Sequence, residues 1–174
     1  DQRVYLEDGR SGARRELHAE PPGGTQSLAR EVLVHTPEDI ERLLPVTPHS
    51  QMLEEGRLDF PRRAVAAFAS DRFVFASVGT PFWSAHAYLT FAGLMTATVE
   101  QQELLLLLLE RLTQQRLETV RAYAAAGVDG VWVEDCYSSA DLISPEQFRR
   151  YALPYVERLI ATIEGLGMRA VYYF

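Results

Sequence analysis

The chain has 174 residues, 17 Lys plus Arg against 24 Asp plus Glu, and a formal net charge of −7. Its 47% apolar content suffices for one folded domain and excludes a wholly disordered chain. The acidic balance argues against nucleic acid or an anionic membrane as partner, because both require a basic face. The N-terminal residues, Asp1 to Val4, carry neither an initiator Met nor the apolar core of a signal peptide. Residues 1–35 read as irregular. A short hairpin is open to them, with strands at residues 4–6 and 14–17 and a turn at Asp8 to Gly12. Glu20-Pro21-Pro22-Gly23-Gly24 breaks any element.

Thr36-Pro37-Glu38-Asp39 is a helix start: a capping hydroxyl, Pro at the first position and acids at the positive helix end. That helix runs to residue 44, and a loop is expected to residue 58. Residues 60–70 read as a second helix and residues 72–78 as a strand. Gly79-Thr80-Pro81 ends the strand, and a helix is expected over 84–94. Residues 100–126 form a long helix closed by Gly127. Its run Leu104 to Leu109 is apolar on all sides, which predicts burial on more than one face. That run, the longest in the chain, falls far short of the roughly 20 residues of a bilayer span. Residues 130–133 are a near-continuous apolar strand, as in a parallel sheet covered on both faces. The lone Cys136 follows it and excludes an internal disulfide. A reducing, cytoplasmic location is therefore expected.

Ser144-Pro145-Glu146-Gln147 is a capping box. The helix it opens runs to about residue 166 and is expected to kink or split at Pro154. A strand over 168–174 ends the chain. Strands separated by helical crossovers predict an α/β fold with a parallel sheet. The last strand leaves an apolar, aromatic edge, to be covered by a second copy or by further sheet.

Three stretches resemble the uroporphyrinogen decarboxylase superfamily, which includes cobalamin-dependent methyltransferases. They are Gly79-Thr80-Pro81-Phe82, Ala126 to Asp135, and Ile143 to Phe148 followed by Leu153-Pro154-Tyr155. Residues 36–44 resemble another helix of that family. The resemblance covers residues 32–174 and implies a partial (β/α)8 TIM barrel over 36–174, a fragment of a longer barrel. It implies porphyrinogen side-chain decarboxylation without a cofactor. The methyltransferase alternative implies zinc and a corrinoid, with a corrinoid protein as substrate. A third reading is a non-catalytic half-barrel that self-associates as a homodimer. Two positions depart from the family pattern. Ala87 stands where decarboxylases have a tyrosine six places after the proline, with Tyr88 the nearest substitute. Tyr172 or Tyr173 stands where the methyltransferases have a zinc-binding histidine. The family's arginine-rich loop, aspartate and C-terminal histidine have no counterpart in these residues.

Active sites of parallel barrels lie at the C-terminal strand ends. That rule selects Thr80, Phe82, Trp83 and His86 after one strand. It selects Glu134, Asp135, Cys136 and Tyr137 after the next, and Tyr172, Tyr173 and Phe174 at the third. Adjacent strand residues point to opposite faces. One of Glu134 and Asp135 therefore faces the barrel axis, and Asp135 is the favoured catalytic carboxylate. His86 is open to acid–base work or packing. Thr80, Phe82, Trp83, Tyr137, Tyr172 and Tyr173 are candidates to line a pocket for a flat macrocycle, with packing as the competing reading. Ser138 and Ser139 are open to substrate binding or loop capping. The arginines at 14, 15, 62 and 63 read as surface. No P-loop, dinucleotide fingerprint, nucleophile elbow, HExxH or CxxC is present.

Overall fold

The computed structural model describes residues 31–173 and the backbone of two short strands, β1 (Val4–Glu7) and β2 (Arg14–Leu17). Those two strands pair antiparallel, with Val4 opposite Leu17 and Glu7 opposite Arg14. The expected turn at 8–12, the breaker at 20–24 and Phe174 lie outside the described residues.

The helix α1 (Pro37–Leu43) begins as its residues dictate. The Thr36 side chain accepts from the Asp39 N–H, and Asp39 returns the contact to the Thr36 N–H. The expected loop over 45–58 instead contains α2 (His49–Glu54). A helix forms there because Met52 and the following Leu58 bury against Ala122 and Ala126. Its first turn is held by the Glu118 carboxylate, which accepts from the His49 backbone N–H and contacts its ring. α3 spans Asp59–Phe68.

Three parallel strands follow: β3 (Phe75–Gly79), β4 (Gly130–Glu134) and β5 (Arg169–Tyr173), hydrogen-bonded in the order β3-β4-β5. Between β3 and β4 run α4 (Pro81–Glu100) and α5 (Gln102–Ala126). α4 is longer than expected because it is two helices joined at Thr90, whose φ of 63° leaves the helical region. The Thr90 hydroxyl caps the second half by accepting from the Gly93 N–H. The carbonyl of Tyr88, released at the break, accepts from the Leu33 N–H. Gly127, at a φ of 84°, closes α5 as its sequence predicts.

Between β4 and β5 lie α6 (Pro145–Gln147), a π-helical turn (Phe148–Ala152) and α7 (Leu153–Gly165). The split expected near Pro154 takes this form. Pro154 has no N–H to continue the ladder, and the Leu153 N–H reaches the Phe148 carbonyl five residues back.

The sheet has a covered face and an open face. Val78, Val131 and Val133 pack with Val120 of α5 and with Leu159 and Ile163 of α7. The alternate residues Phe75, Trp132 and Tyr173 are exposed on the other face. A second core joins α4 to α5 through Leu94, Leu105, Leu108 and Leu112. Burial of the leucine run is not complete, since Leu107 is 51% exposed. Among the described residues, no helix is long and apolar enough to cross a membrane.

Candidate functional site

The C-terminal strand ends are built around two turns locked to each other. After β3, the Thr80 N–H continues the ladder by donating to the Glu134 carbonyl at 2.8 Å. Pro81 then occupies the first turn of α4, and the Thr80 hydroxyl accepts from the Trp83 N–H. The same hydroxyl donates to Asp135 Oδ2 at 2.9 Å. Asp135 Oδ1 accepts from the Tyr137 N–H at 3.0 Å and the Ser138 N–H at 3.1 Å. Three donors thus engage the two oxygens of this carboxylate. The Asp135 N–H donates to the Tyr173 carbonyl at 2.9 Å, which ties this residue to β5. Asp135 is fully buried on the covered side of the sheet. Its geometry is that of a staple between β3, the β4 loop and β5.

Glu134 belongs to the open face, in one register row with Gly79 and Tyr173. Among the described residues no hydrogen bond or ion pair engages its carboxylate. Gly79 beside it is required by close approach. A Cβ at that position would lie 2.3 Å from the Trp83 ring. The Trp83 indole therefore covers Gly79, one strand away from Glu134. Its Nε1 is buried without a partner among the described residues. Trp83 lies 5.4 Å from the His86 ring, and His86 meets Tyr137 edge to face at 5.2 Å. His86 Nδ1 stands 2.5 Å from the Trp83 carbonyl. Nδ1 must carry the proton in that contact, which leaves Nε2 as the acceptor in the neutral ring. Tyr173 stacks on Trp132 at 5.8 Å.

Burial, then the charges of Glu134 and Asp135, push the Cys136 thiol up and keep it protonated. Burial, then Cys136, likewise raises Tyr137. For Tyr172, burial raises the phenol, the Ser138 hydroxyl lowers it, and Asp135 raises it again. The net direction is upward.

Several expected pocket residues lie elsewhere. Phe82 is fully buried in the main core, because the second position of α4 points into the helix interface. Thr80 is fully buried and its hydroxyl is engaged on both sides. Tyr88 packs against the main core and near Arg116 rather than with His86. Ala87, exposed, is the residue one helical turn beyond Trp83. The structure thus groups Trp83, His86 and Tyr137, with Tyr137 itself buried in the main core against Phe91, leaves Glu134 on the open face beside Gly79, and separates Tyr88, Phe82 and Asp135 from that face. Arg116 of α5 was not among the sequence candidates. Its Nε donates to the Gly79 carbonyl at 3.2 Å and its terminal nitrogen to Ser84 Oγ at 3.0 Å. Burial pushes its pKa down. The signal was its spacing, since Leu109, Leu112 and Val120 of the same helix stripe are buried. Among the described residues, no three His, Cys, Asp or Glu side chains cluster as a metal site.

The profile of the uroporphyrinogen decarboxylase (URO-D) family matches residues 19–174. A uroporphyrinogen decarboxylase of Thermus thermophilus is 28% identical over 151 residues, covering 81% of this chain and 42% of that protein. One from Desulfotalea psychrophila is 32% identical over 73 residues, covering 42% of this chain and 21% of that one. One from a Geobacter species is 26% identical over 83 residues, covering 48% of this chain and 24% of that one. The chain spans about two-fifths of the length of the Thermus relative. With the motif order, the parallel sheet and a family match over most of its length, the chain belongs to the uroporphyrinogen decarboxylase family.

Proposed function

We propose that this chain supplies part of the catalytic mouth of a porphyrinogen decarboxylase built on a (β/α)8 barrel. The observation that carries the reading is Glu134, a carboxylate at the C-terminal end of β4 on the open face with no hydrogen bond or ion pair among the described residues. In a barrel that face looks onto the axis, and its strand ends hold the reacting groups. Trp83 over Gly79 and the exposed Tyr173 stacked on Trp132 support the reading as flat walls for a macrocycle.

The reaction is the loss of CO2 from an acetate side chain of a pyrrole ring. A proton adds to the ring, and the C–CO2 bond breaks as its electron pair flows into the cationic ring. The exocyclic carbon then takes up a proton to become methyl, and the ring loses the one it gained. The pyrrole is the electron sink, so this chemistry needs no further cofactor. Glu134 stabilises the transient cation electrostatically. Asp135, Thr80 and Arg116 hold the two turns in place and touch no substrate.

The test is incubation of the complete protein with uroporphyrinogen, followed by chromatography of the oxidised products. Coproporphyrin is expected. No turnover, with the protein folded and the substrate intact, overturns the reading.

A further inference from the structure

The first turns of α4 set a histidine at the strand ends with one of its ring nitrogens already committed. Trp83 lies over Gly79, which shares a register row with Glu134. His86 follows one helical turn later, on the same side of α4. Its ring is held between Trp83, at 5.4 Å, and Tyr137 of the loop after β4, edge to face at 5.2 Å. The turn after β3 and the loop after β4 thus fix the ring together, at the end of the sheet where barrel enzymes react.

His86 Nδ1 stands 2.5 Å from the Trp83 carbonyl, which can only accept. The proton on Nδ1 is held there in both the neutral and the cationic ring. Gain and loss of a proton are therefore confined to Nε2. Among the described residues Nε2 has no hydrogen-bond partner, and unlike Trp83 Nε1 it is not shut off from solvent. The titratable side chain in contact with the ring is Tyr137. Burial, then Cys136, pushes its phenol up and keeps it neutral. Asp135 is taken up by its own donors, and no ion pair among the described residues reaches the ring. An imidazole anchored at one nitrogen and open at the other is the form of a proton carrier.

We propose that His86 Nε2 is the group that gives the pyrrole ring its proton and takes it back. The proposal rests on the decarboxylase reading and adds to it an acid–base residue, which Glu134, as an electrostatic stabiliser, does not supply. The imidazolium passes its Nε2 proton to a ring carbon, which leaves His86 neutral. The C–CO2 bond breaks, its electron pair flows into the ring, and CO2 leaves. The exocyclic carbon takes one proton from solvent, the only proton consumed overall. The ring then returns its own proton to Nε2 and restores the imidazolium. Nε2 donates in the first step and accepts in the last, and the fixed Nδ1–H keeps it aimed the same way in both.

The test is His86→Asn in the complete protein, assayed with uroporphyrinogen. The Asn amide nitrogen takes the place of Nδ1 on the Trp83 carbonyl, while nothing replaces Nε2. kcat is expected to fall about 100- to 10,000-fold with KM little changed. The limb of the native kcat profile between about pH 5 and 8, where imidazoles titrate, is expected to vanish in the variant. Should His86→Asn fail to fold, long-range proton–nitrogen NMR of the native protein decides. The neutral His86 ring is expected as the Nδ1–H tautomer, protonating at Nε2 as pH falls. A near-native kcat, a lowered kcat with the limb retained, or an Nε2–H tautomer would overturn the proposal and leave the decarboxylase reading standing. A folded native protein that forms no coproporphyrin overturns that reading, and this proposal with it.

Discussion

Thr80 donates a 2.9 Å hydrogen bond to Asp135, 55 positions further along the chain, inside a site closed to solvent. The bond joins the turn after β3 to the turn after β4. Thr80→Val removes it together with the cap on the Trp83 N–H. A loss of about 2 kcal/mol is expected from an orphaned charged acceptor and a lost cap. Thr80→Ser keeps the hydroxyl and should recover most of it. Urea unfolding of the two variants checks this, and equal midpoints would refute the staple.

Asp135→Asn replaces one acceptor oxygen with an amide that must face a donor. The Oδ1 side faces two backbone N–H groups, so the amide nitrogen must take the Oδ2 side, where the Thr80 hydroxyl has to turn from donor to acceptor and the charge-assisted bonds are lost. Destabilisation of about 2 kcal/mol is expected. Glu134→Gln should leave the unfolding free energy within about 0.5 kcal/mol of native, since its carboxylate has no partner to lose among the described residues. On the proposed function, the same change should lower kcat about 100-fold with little effect on KM. The opposite pattern between the two neighbours would reverse their assignments.

Gly79→Ala places a methyl group 2.3 Å from the Trp83 ring. The ring must swing off the sheet, at a cost of about 1–3 kcal/mol. The displaced indole should become more accessible to acrylamide quenching. A Trp132→Phe background isolates the Trp83 signal.

Arg116 is a half-buried cation whose partners are a carbonyl and a hydroxyl. Arg116→Met leaves the Gly79 carbonyl without that donor and should cost about 1–3 kcal/mol. Arg116→Lys retains the charge but cannot span both acceptors with a planar fork, so partial recovery is expected. Thermal unfolding of the two variants gives the order.

The Arg42 guanidinium beside Asp39, helped by the N–H groups of His35 and Thr36, lowers the Asp39 carboxyl from 3.8 to about 2. The folded form binds its proton less readily than the unfolded form does. This contribution to stability is therefore complete above about pH 4 and is lost as pH falls toward 2. Carboxyl NMR should show Asp39 titrating near 2 in the folded protein, and higher in Arg42→Ala.

Much of the architecture was legible because its signals are local. Thr36 and Ser144 cap helices within three residues of themselves, and Gly127 ends α5 at its own φ. Val131 and Val133 announced a buried strand by composition. α2 was missed because its apolar residues, Met52 and Leu58, acquire meaning only against Ala122 and Ala126. The break at Thr90 was missed because the Leu33 N–H, far back in the chain, accompanies it by binding the Tyr88 carbonyl.

By itself the sequence determined the element order, the parallel α/β class, the family and the strand ends at which candidate residues gather. Tertiary structure alone decided how neighbours in sequence divide their roles. Glu134 and Asp135 are adjacent, yet one carboxylate is left open and the other is closed in by donors from the turn after β3 and the loop after β4. Helix and strand formation respond to periodicity and caps over a few residues. Desolvation and hydrogen-bond saturation depend on which distant segments the fold brings within about 3 Å, and no local pattern carries that information.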